Sequence, residues 1–401
     1  MAVFGAGPAG LKAAEVMASA GLTVTVYDRM PSPARKFLMA GRGGLNLTHS
    51  EPLSSFLQRY SGDAAQIQEC VMAFTPDQAV AWANALGQET FVGSSGRIFP
   101  KAMKASPLLR AWLQRLAQLG VTLKTRHTWI GFDVSGSPIV ETPDGLCESV
   151  PADATILAFG GASWPKLGSN GAWAPLLSAT GISITLLTPS NCGVRTSWSD
   201  LFSQKFAGSA LKRIAVTVSK TTRRGEAMIT SGGLEGGAIY ALGPALRAAL
   251  ASHGSPTVTI DLKPDVSVAD IAERVSRSRG SNSQSNHIRK TLALDPAAVA
   301  LLREPGPLPT TPEVLAALVK AVPVKVNGLA SLERAISTAG GVSFSELDAN
   351  LMLHTIPGVF CAGEMLDWDA PTGGYLLQGC LASGHAAAQG ALKWLESRAK
   401  T

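Results

Sequence analysis

Paired cysteines are missing from this chain. Its five, Cys70, Cys147, Cys192, Cys361 and Cys380, are scattered, odd in number and never spaced C-x-x-C. That pattern argues against a disulfide framework, a redox dithiol and a thiolate zinc site, and it points to a reducing, cytoplasmic setting. Histidine is equally sparse: the six residues show no H-E-x-x-H and no paired spacing, so no metal is expected. No apolar run approaches the ~20 residues needed to span a bilayer, so no membrane segment is expected. With Met1–Phe4 alone ahead of the first glycine, no signal peptide is expected either. Aromatics make up 6% of the residues. None interleaves with the short basic clusters Lys212-Arg213, Arg223-Arg224 and Arg289-Lys290 as a base-stacking platform would.

Acidic residues are fewer than basic ones, 29 against 35, which leaves a formal charge of +6. The positive residues read as dispersed along the chain. That favours a mildly basic surface attracting anionic dinucleotides or acidic substrates, and it argues against nucleic acid as a partner. At 401 residues with 46% hydrophobic and 16% charged content, the chain is globular and long for one domain. Two units, or one domain carrying an insertion, are expected.

The rest of the chain is organised around its opening stretch. An apolar run to Phe4 leads into Gly5-Ala6-Gly7-Pro8-Ala9-Gly10 and then into an alanine-rich helical pattern. In this G-x-G-x-x-G the first glycine permits the tight turn, the second lets backbone approach a pyrophosphate, and the third allows close helix packing. The helix points its unpaired N–H groups and positive dipole end at the phosphates. A second apolar alternation from Leu22 to Tyr27 then ends in Asp28-Arg29, where an acid is placed to accept hydrogen bonds from an adenosine ribose. A lone glycine motif is weak, but strand, glycines, helix, strand and acid in order are strong. No second strand–G-x-G-x-x-G–helix unit occurs, so no separate NAD(P)H domain is expected.

Downstream, Arg35, Lys36 and Arg42 bring positive charge back toward the phosphates. Gly41, Gly43 and Gly44 let backbone lie flat against a ligand. Helices are expected over 51–92 and from Leu108 to Leu119, the latter capped by Ser106-Pro107. Val121–Thr125 reads as the next parallel strand, followed by a small meander. Ala154–Phe159 reads as a buried strand ending in Gly160-Gly161. From 189 to 338 the pattern is strand-rich, with a helical cap over about 264–322 and a glycine-rich turn at 231–237. The return, 339–401, contains a strand ending in Gly363-Glu364, then Gly373-Gly374-Tyr375, then a helix from Gly379 to Leu392.

Three of these stretches resemble the BaiN-like family of bacterial FAD-dependent oxidoreductases. The first is Gly5 to Asp28 with Arg35-Lys36 and Gly41-Arg42-Gly43-Gly44-Leu45-Asn46-Leu47-Thr48. The second is Gly160-Gly161-Ala162-Ser163-Trp164-Pro165-Lys166-Leu167-Gly168-Ser169-Asn170-Gly171. The third is Ala362-Gly363-Glu364-Met365-Leu366-Asp367-Trp368-Asp369 with Thr372-Gly373-Gly374-Tyr375-Leu376-Leu377-Gln378. Leu45 stands where many relatives have cysteine, Arg42 precedes the glycine pair, and Leu376 replaces a usual asparagine, so no thiol role carries over. The resemblance implies an α/β fold: a Rossmann-like FAD-binding domain of the two-dinucleotide-binding-flavoprotein type (1–188 and 339–401), interrupted by the strand-rich insert 189–338 with its helical subdomain. Beyond the opening turn, Asp28 and Arg29, it implies cofactor contacts from Lys36, from Gly41 to Asn46, and from Thr48, Gly160, Gly161, Gly363, Glu364, Gly373, Gly374, Tyr375 and Gln378. It also implies FAD reduced by NAD(P)H and an activated alkene as acceptor. Asn46, Lys166 and Tyr375 are the candidate catalytic residues, with Tyr375 the phenolic proton donor. A flavin-containing RNA-modifying or nucleic-acid-binding protein, and a flavin redox sensor without turnover, remain alternatives.

Overall fold

The computed structural model of the chain describes residues 1–62 and 64–399. Asp63, within the expected helical stretch 51–92, and Lys400 and Thr401, at the end of the expected unit 339–401, lie outside the described residues.

The first strand, Ala2–Phe4, is the middle of a five-stranded parallel sheet. It pairs with Thr25–Asp28 on one side and Thr155–Leu157 on the other. Thr122–Thr125 lies beyond the former and Val359–Cys361 beyond the latter. Helical crossovers cover both faces of such a sheet, so its inner strands are continuous apolar runs rather than alternations. The inner strands Ala2–Phe4 and Thr155–Leu157 are accordingly buried throughout, as is the edge strand Val359–Cys361, while the inner strand Thr25–Asp28 is buried at Val26 and Tyr27 alone. The α/β class implied by the sequence is the one found.

Two helices end where their packing, not their glycines, dictates. The closing helix runs Tyr375–Ala399, beginning four residues ahead of Gly379. Gly379 sits inside it because a Cβ there would stand 2.7 Å from the Trp368 ring. Gly384 faces Ala9 of the first helix, Pro8–Ser19, where a Cβ would come within 2.2 Å of the Ala9 carbonyl oxygen. Those small residues let the two helices pack closely. The helix expected from Leu108 instead spans Ala105–Gln118, with Lys104 as its N-cap. Pro107 is tolerated inside its first turn because that N–H has no intrahelical acceptor in any helix. The stretch 51–92 holds helices Leu53–Leu57, Ala64–Ala73 and Pro76–Ala85, but it ends in the strand Thr90–Val92, paired with Arg97–Pro100.

The chain divides into two compact units, 1–188 with 336–401 and Pro189–Ala335. The return falls at Ile336 rather than 339 because Ser337–Val342 is a buried strand, and Thr338 donates its N–H to Glu364 of the first unit (3.0 Å). The second unit is built on a seven-stranded antiparallel sheet. Its long central strands are Ala210–Val218, Thr221–Thr230 and Thr257–Asp261. The stretch 231–237 contains a short strand of that sheet, Gly233–Glu235, where a pure turn was expected. Helices Val268–Ser276, Gln284–Leu292, Pro296–Leu301 and Pro312–Lys320 supply the helical part. Each unit has its own apolar core.

The first unit's core also contains a charge. The buried carboxylate of Glu15 accepts from Trp82 Nε1 (2.9 Å) and Trp112 Nε1 (3.1 Å). The equally buried Lys12 ammonium lies 3.4 Å from Oε2 and over the Phe74 and Trp82 rings, while Arg115 Nε is 3.2 Å from Oε1. Burial pushes the Lys12 pKa down, with Glu15 opposing. Removing one partner of a buried pair leaves an uncompensated charge, at a cost of ~3–5 kcal/mol. Glu15→Ala is therefore expected to lower the unfolding free energy by that amount in urea titration; a loss under ~1 kcal/mol would show that Lys12 finds solvent instead.

Candidate functional site

The opening turn is built by close approaches. Gly5 leaves the first strand at φ +103°, and a Cβ there would stand 2.2 Å from the Ala158 carbonyl oxygen. Gly7 caps the helix Pro8–Ser19 without any side-chain cap, and nothing lies within 4 Å of where its Cβ would be. An uncapped helix N-terminus thus faces open space, the arrangement that attracts a phosphate. Asp28 closes the turn from the neighbouring strand. Its Oδ2 accepts from Ala6 N–H and its Oδ1 from Met30 N–H, both at 2.7 Å. Each oxygen keeps a lone pair for a further donor. Burial pushes the Asp28 carboxyl above the ordinary range, opposed by those two N–H groups and then by Arg29 and Arg35. The segment after Asp28 is tied back by Ala34 N–H to Ala6 O (2.8 Å), and the neighbouring Arg35 Nε is a buried donor without a partner.

Glu364 is the second centre. Its Oε2 accepts from Lys36 Nζ at 2.8 Å and from Gly161 N–H at 3.4 Å, and its Oε1 from Thr338 N–H at 3.0 Å. Lys36 also donates to Ser163 Oγ (2.8 Å), and Thr338 Oγ1 accepts from Ala162 N–H (2.8 Å) and Ser163 N–H (3.2 Å). Gly161 is required here, since a Cβ would stand 2.3 Å from Thr338 Oγ1. Gly160 turns the chain out of its strand and gives its carbonyl to Trp173 Nε1 (2.9 Å). Gly363 abuts Ala9, so Glu364 lies close to the opening turn.

The third centre joins the loop 41–48 to the closing helix. Gly41 packs on Ala105, Leu45 N–H donates to Met103 O (3.0 Å), and Leu47 N–H donates to Ile98 O (2.9 Å). Gly374, at φ +98°, lies against the Thr48 backbone, where a Cβ would be 2.6 Å from Thr48 Cα. Asn46 Oδ1, Thr48 Oγ1 and, one turn into the helix, Gln378 Oε1 are buried with no hydrogen-bond partner. Buried polar atoms in that state cost free energy, and a polar ring with donors and acceptors would satisfy them. Gln378 is held in place by Nε2 donating to Phe74 O (2.6 Å).

Tyr375 begins the closing helix beside Gly373 and Gly374, but its hydroxyl is engaged. It donates to Glu51 Oε1 (2.6 Å), and the same carboxylate binds Arg59 through Nε (3.0 Å) and Nη2 (2.6 Å). Its ring packs on His49 and Phe56. Burial, then the bond to Glu51, pushes the phenol well above its ordinary range, while Arg59 holds Glu51 below the usual carboxylate range.

The structure therefore brings together Gly5, Gly7, Pro8, Ala9, Gly10 and Asp28, and it joins Lys36, Gly161, Gly363 and Glu364. It also joins Thr48 to Gly374, with Gln378 on the same helix. Lys166, Arg29, Arg42 and Gly43 are exposed, and Lys166 makes no ion pair or hydrogen bond among the described residues. Sequence reasoning missed Ser163 and Thr338 as polar partners, and the Glu51–Arg59 pair. Ser163 lies within a motif already singled out; nothing local marks the others.

An uncapped helix at a glycine turn, a strand-end acid and unpartnered polar atoms at a second helix start define a dinucleotide-binding Rossmann protein of the flavoenzyme kind. The chain belongs to the HI0933-like protein Rossmann domain family, a family of FAD-dependent oxidoreductases, whose model matches residues 1–390. It is 25% identical over 407 residues to the ribosomal RNA dihydrouridine synthase of Escherichia coli (strain K12), covering 96% of each chain. It is 23% identical over 411 residues to the 3-dehydro-bile acid delta(4,6)-reductase of Clostridium scindens, covering 97% of this chain and 98% of that one. Its fold is shared with a flavocytochrome c3 fumarate reductase in its open conformation, at a TM-score of 0.52 and 15% identity over 98% of this chain and 78% of that one.

Asp28 generates a prediction with a sign. Its ionised form is the better acceptor for ribose hydroxyls, and its raised pKa means that acid protonates it above the ordinary carboxylate range. FAD affinity is thus full at neutral pH and falls as pH drops through that raised pKa. Asp28→Asn is expected to weaken FAD ~10- to 150-fold, the worth of a charged hydrogen bond, and to flatten the pH profile. Flavin-fluorescence titrations from about pH 8 to about pH 5 check both. A sloping profile in the variant would place the titration elsewhere.

Proposed function

We propose that this chain is an FAD-dependent reductase that takes electrons from NAD(P)H and adds hydrogen across a carbon–carbon double bond conjugated to a carbonyl. The observation that carries it is the grouping of unpartnered Asn46 Oδ1, Thr48 Oγ1 and Gln378 Oε1 at the closing helix. A dinucleotide's phosphates need none of these, whereas a polar redox ring does. Two relatives point to the acceptor chemistry through their names: a dihydrouridine is a uridine saturated beside its carbonyl, and a delta(4,6)-reductase of a 3-dehydro-bile acid acts on alkenes in line with a ketone.

The residues divide the work. Backbone at Gly7 and the first helix receive the pyrophosphate, with Arg35 as an added donor, and Asp28 holds the ribose. Glu364, oriented by Lys36 and Thr338, would hold the part of the cofactor between phosphates and ring. Asn46, Thr48, Gln378 and the closing helix's N-terminus hold and polarise the ring. Bound FAD supplies hydride transfer. Tyr375 braces this end of the site through Glu51 and Arg59, its proton committed to the Glu51 carboxylate.

A second reading concerns the substrate: an RNA uracil rather than a small enone. The expectation of dispersed charge needs correcting. Residues 189–335 carry eighteen Lys and Arg against eleven Asp and Glu, while the remainder carries seventeen against eighteen. The excess positive charge resides in the second unit, as an RNA partner would favour.

Anaerobic mixing of the FAD-loaded protein with NADH and with NADPH should bleach the flavin. Adding a conjugated enone or a uridine-rich RNA should restore its colour. Protein that takes up no FAD, or reduced flavin that no conjugated alkene reoxidises, would overturn the proposal; the latter is the behaviour of a sensor. In the same apparatus Tyr375→Phe is expected to leave both half-reactions near wild type. A reoxidation slowed ~10²-fold or more would make Tyr375 the proton donor after all.

A further inference from the structure

We infer that the second unit holds an RNA strand by a phosphate-binding cavity at the irregularity in its central hairpin. This deepens the RNA reading given above and rests on it. The cavity, about 430 Å³, is walled by Leu211–Ile214, by Leu262–Val266 and by Ala293–Asp295 with Ala298. Its charged lining consists of Lys212, Arg213, Lys263, Asp265 and Asp295.

Three observations point to a phosphate. The ladder between Ala210–Val218 and Thr221–Thr230 shifts register between Leu211 and Ile214, which takes Lys212 and Arg213 out of the pairing. Arg213 is held at φ +52°, a conformation that favours glycine and asparagine, and strain of that kind gathers at ligand sites. Across the cavity, Lys263 is half-buried and donates to Ala293 O (3.2 Å). Burial and then the Arg213 charge push its pKa down, with Asp295 opposing and Arg274 adding to the repulsion. The acids do not neutralise this group. Asp265 is paired with Arg224 at 2.6 Å and Asp261 with Lys320 at 2.7 Å, which leaves Asp295 against Lys212, Arg213 and Lys263. A phosphate oxyanion would relieve the repulsion and bring the cations together.

A strand of RNA is favoured over a free anion because the cations continue past the cavity. Lys220 and Arg223 lie exposed on the same hairpin, so the positive charge is not confined to the cavity. With no aromatic in the cavity lining, such a surface contacts the backbone and carries no base readout.

The test uses the full-length, FAD-loaded protein and a fluorescently labelled, uridine-rich single-stranded RNA. Wild type should bind in low salt and lose about twentyfold in affinity between roughly 50 and 200 mM, as expected for about three phosphate contacts. Arg213→Asn combined with Lys263→Gln should weaken binding ~10-fold or more at low salt and reduce the log–log salt slope by ~1.4, about 0.7 per contact. Arg110→Gln, an exposed charge in the first unit, should change neither. Flavin content and urea midpoint confirm that the variants fold, and the single Arg213→Asn, suited to the left-handed backbone, serves if the pair does not. Wild type without RNA affinity, or a folded variant with unchanged affinity and slope, would overturn the proposal. So would a thermal shift by inorganic phosphate that needs these residues when RNA does not bind. Enone reduction, followed alongside, separates the cases: intact turnover without RNA binding removes the docking site alone, while RNA bound but never reduced removes the uracil reading.

Discussion

A buried carboxylate in the turn that follows a fully buried strand has to find its donors inside the protein, and Glu364, three residues past Cys361, finds them in three separate segments. The Lys36 ammonium comes from the helix after the strand Thr25–Asp28, Gly161 N–H from the turn after Thr155–Leu157, and Thr338 N–H from the strand that returns the chain to the first unit. Since an unpaired buried carboxylate is costly, these ends are fixed relative to each other to within hydrogen-bonding distance. The glycines around it follow from that constraint. Gly161 has no room for a Cβ beside Thr338, and Gly363 has none beside Ala9. The cofactor's expected path, from Gly7 to Gln378, is therefore set by a polar node, with the apolar sheet beneath serving as its platform.

The same logic separates residues that bind from residues that brace. Asp28 spends one lone pair per oxygen on backbone N–H groups and keeps the others, so it both holds the turn and can receive a ribose. Tyr375 has one proton and has given it to Glu51, which Arg59 holds ionised. Burial and that carboxylate raise the phenol's pKa, so releasing the proton to a substrate requires breaking a charge-assisted bond first. Motif position nominated Asp28 as a ribose acceptor and Tyr375 as a proton donor. Their partners make them different.

What was legible in the sequence was whatever is local. The strand–turn–helix from Ala2 to Ser19, the acid at Asp28 and the strand ahead of Gly363-Glu364 each declare themselves through short-range periodicity and glycine spacing, although that strand ends at Cys361 and Glu364 sits in the turn Gly363–Met365. The errors were local as well: Gly379 was read as a helix start because packing glycines and terminating glycines look alike in a sequence, and Ser106-Pro107 imitates a cap although the helix begins at Ala105 with no side-chain cap. Lys36 and Glu364 are 328 positions apart, and Tyr375 and Glu51 are 324. No pattern along the chain joins such pairs; only the parallel sheet does. The charge asymmetry is an intermediate case. It was countable from the sequence once the boundary at Pro189 was drawn, yet averaging over the whole chain concealed it.

That asymmetry means the two units use different electrostatics. The first unit has one more acid than bases, eighteen against seventeen, and at its opening turn it presents a helix dipole and backbone N–H groups fixed in place by Gly5, Gly7 and Gly10. Such partial charges act at short range and lose little to salt. The second unit offers mobile, full charges on an exposed hairpin, which act over a Debye length of ~10 Å and are screened readily. A tightly retained cofactor calls for the first kind of field, and a large anion that must be captured and released calls for the second. If the substrate is the RNA proposed above, a chain with a near-neutral flavin-binding unit and a cationic insert would keep its flavin through many exchanges of that charged substrate.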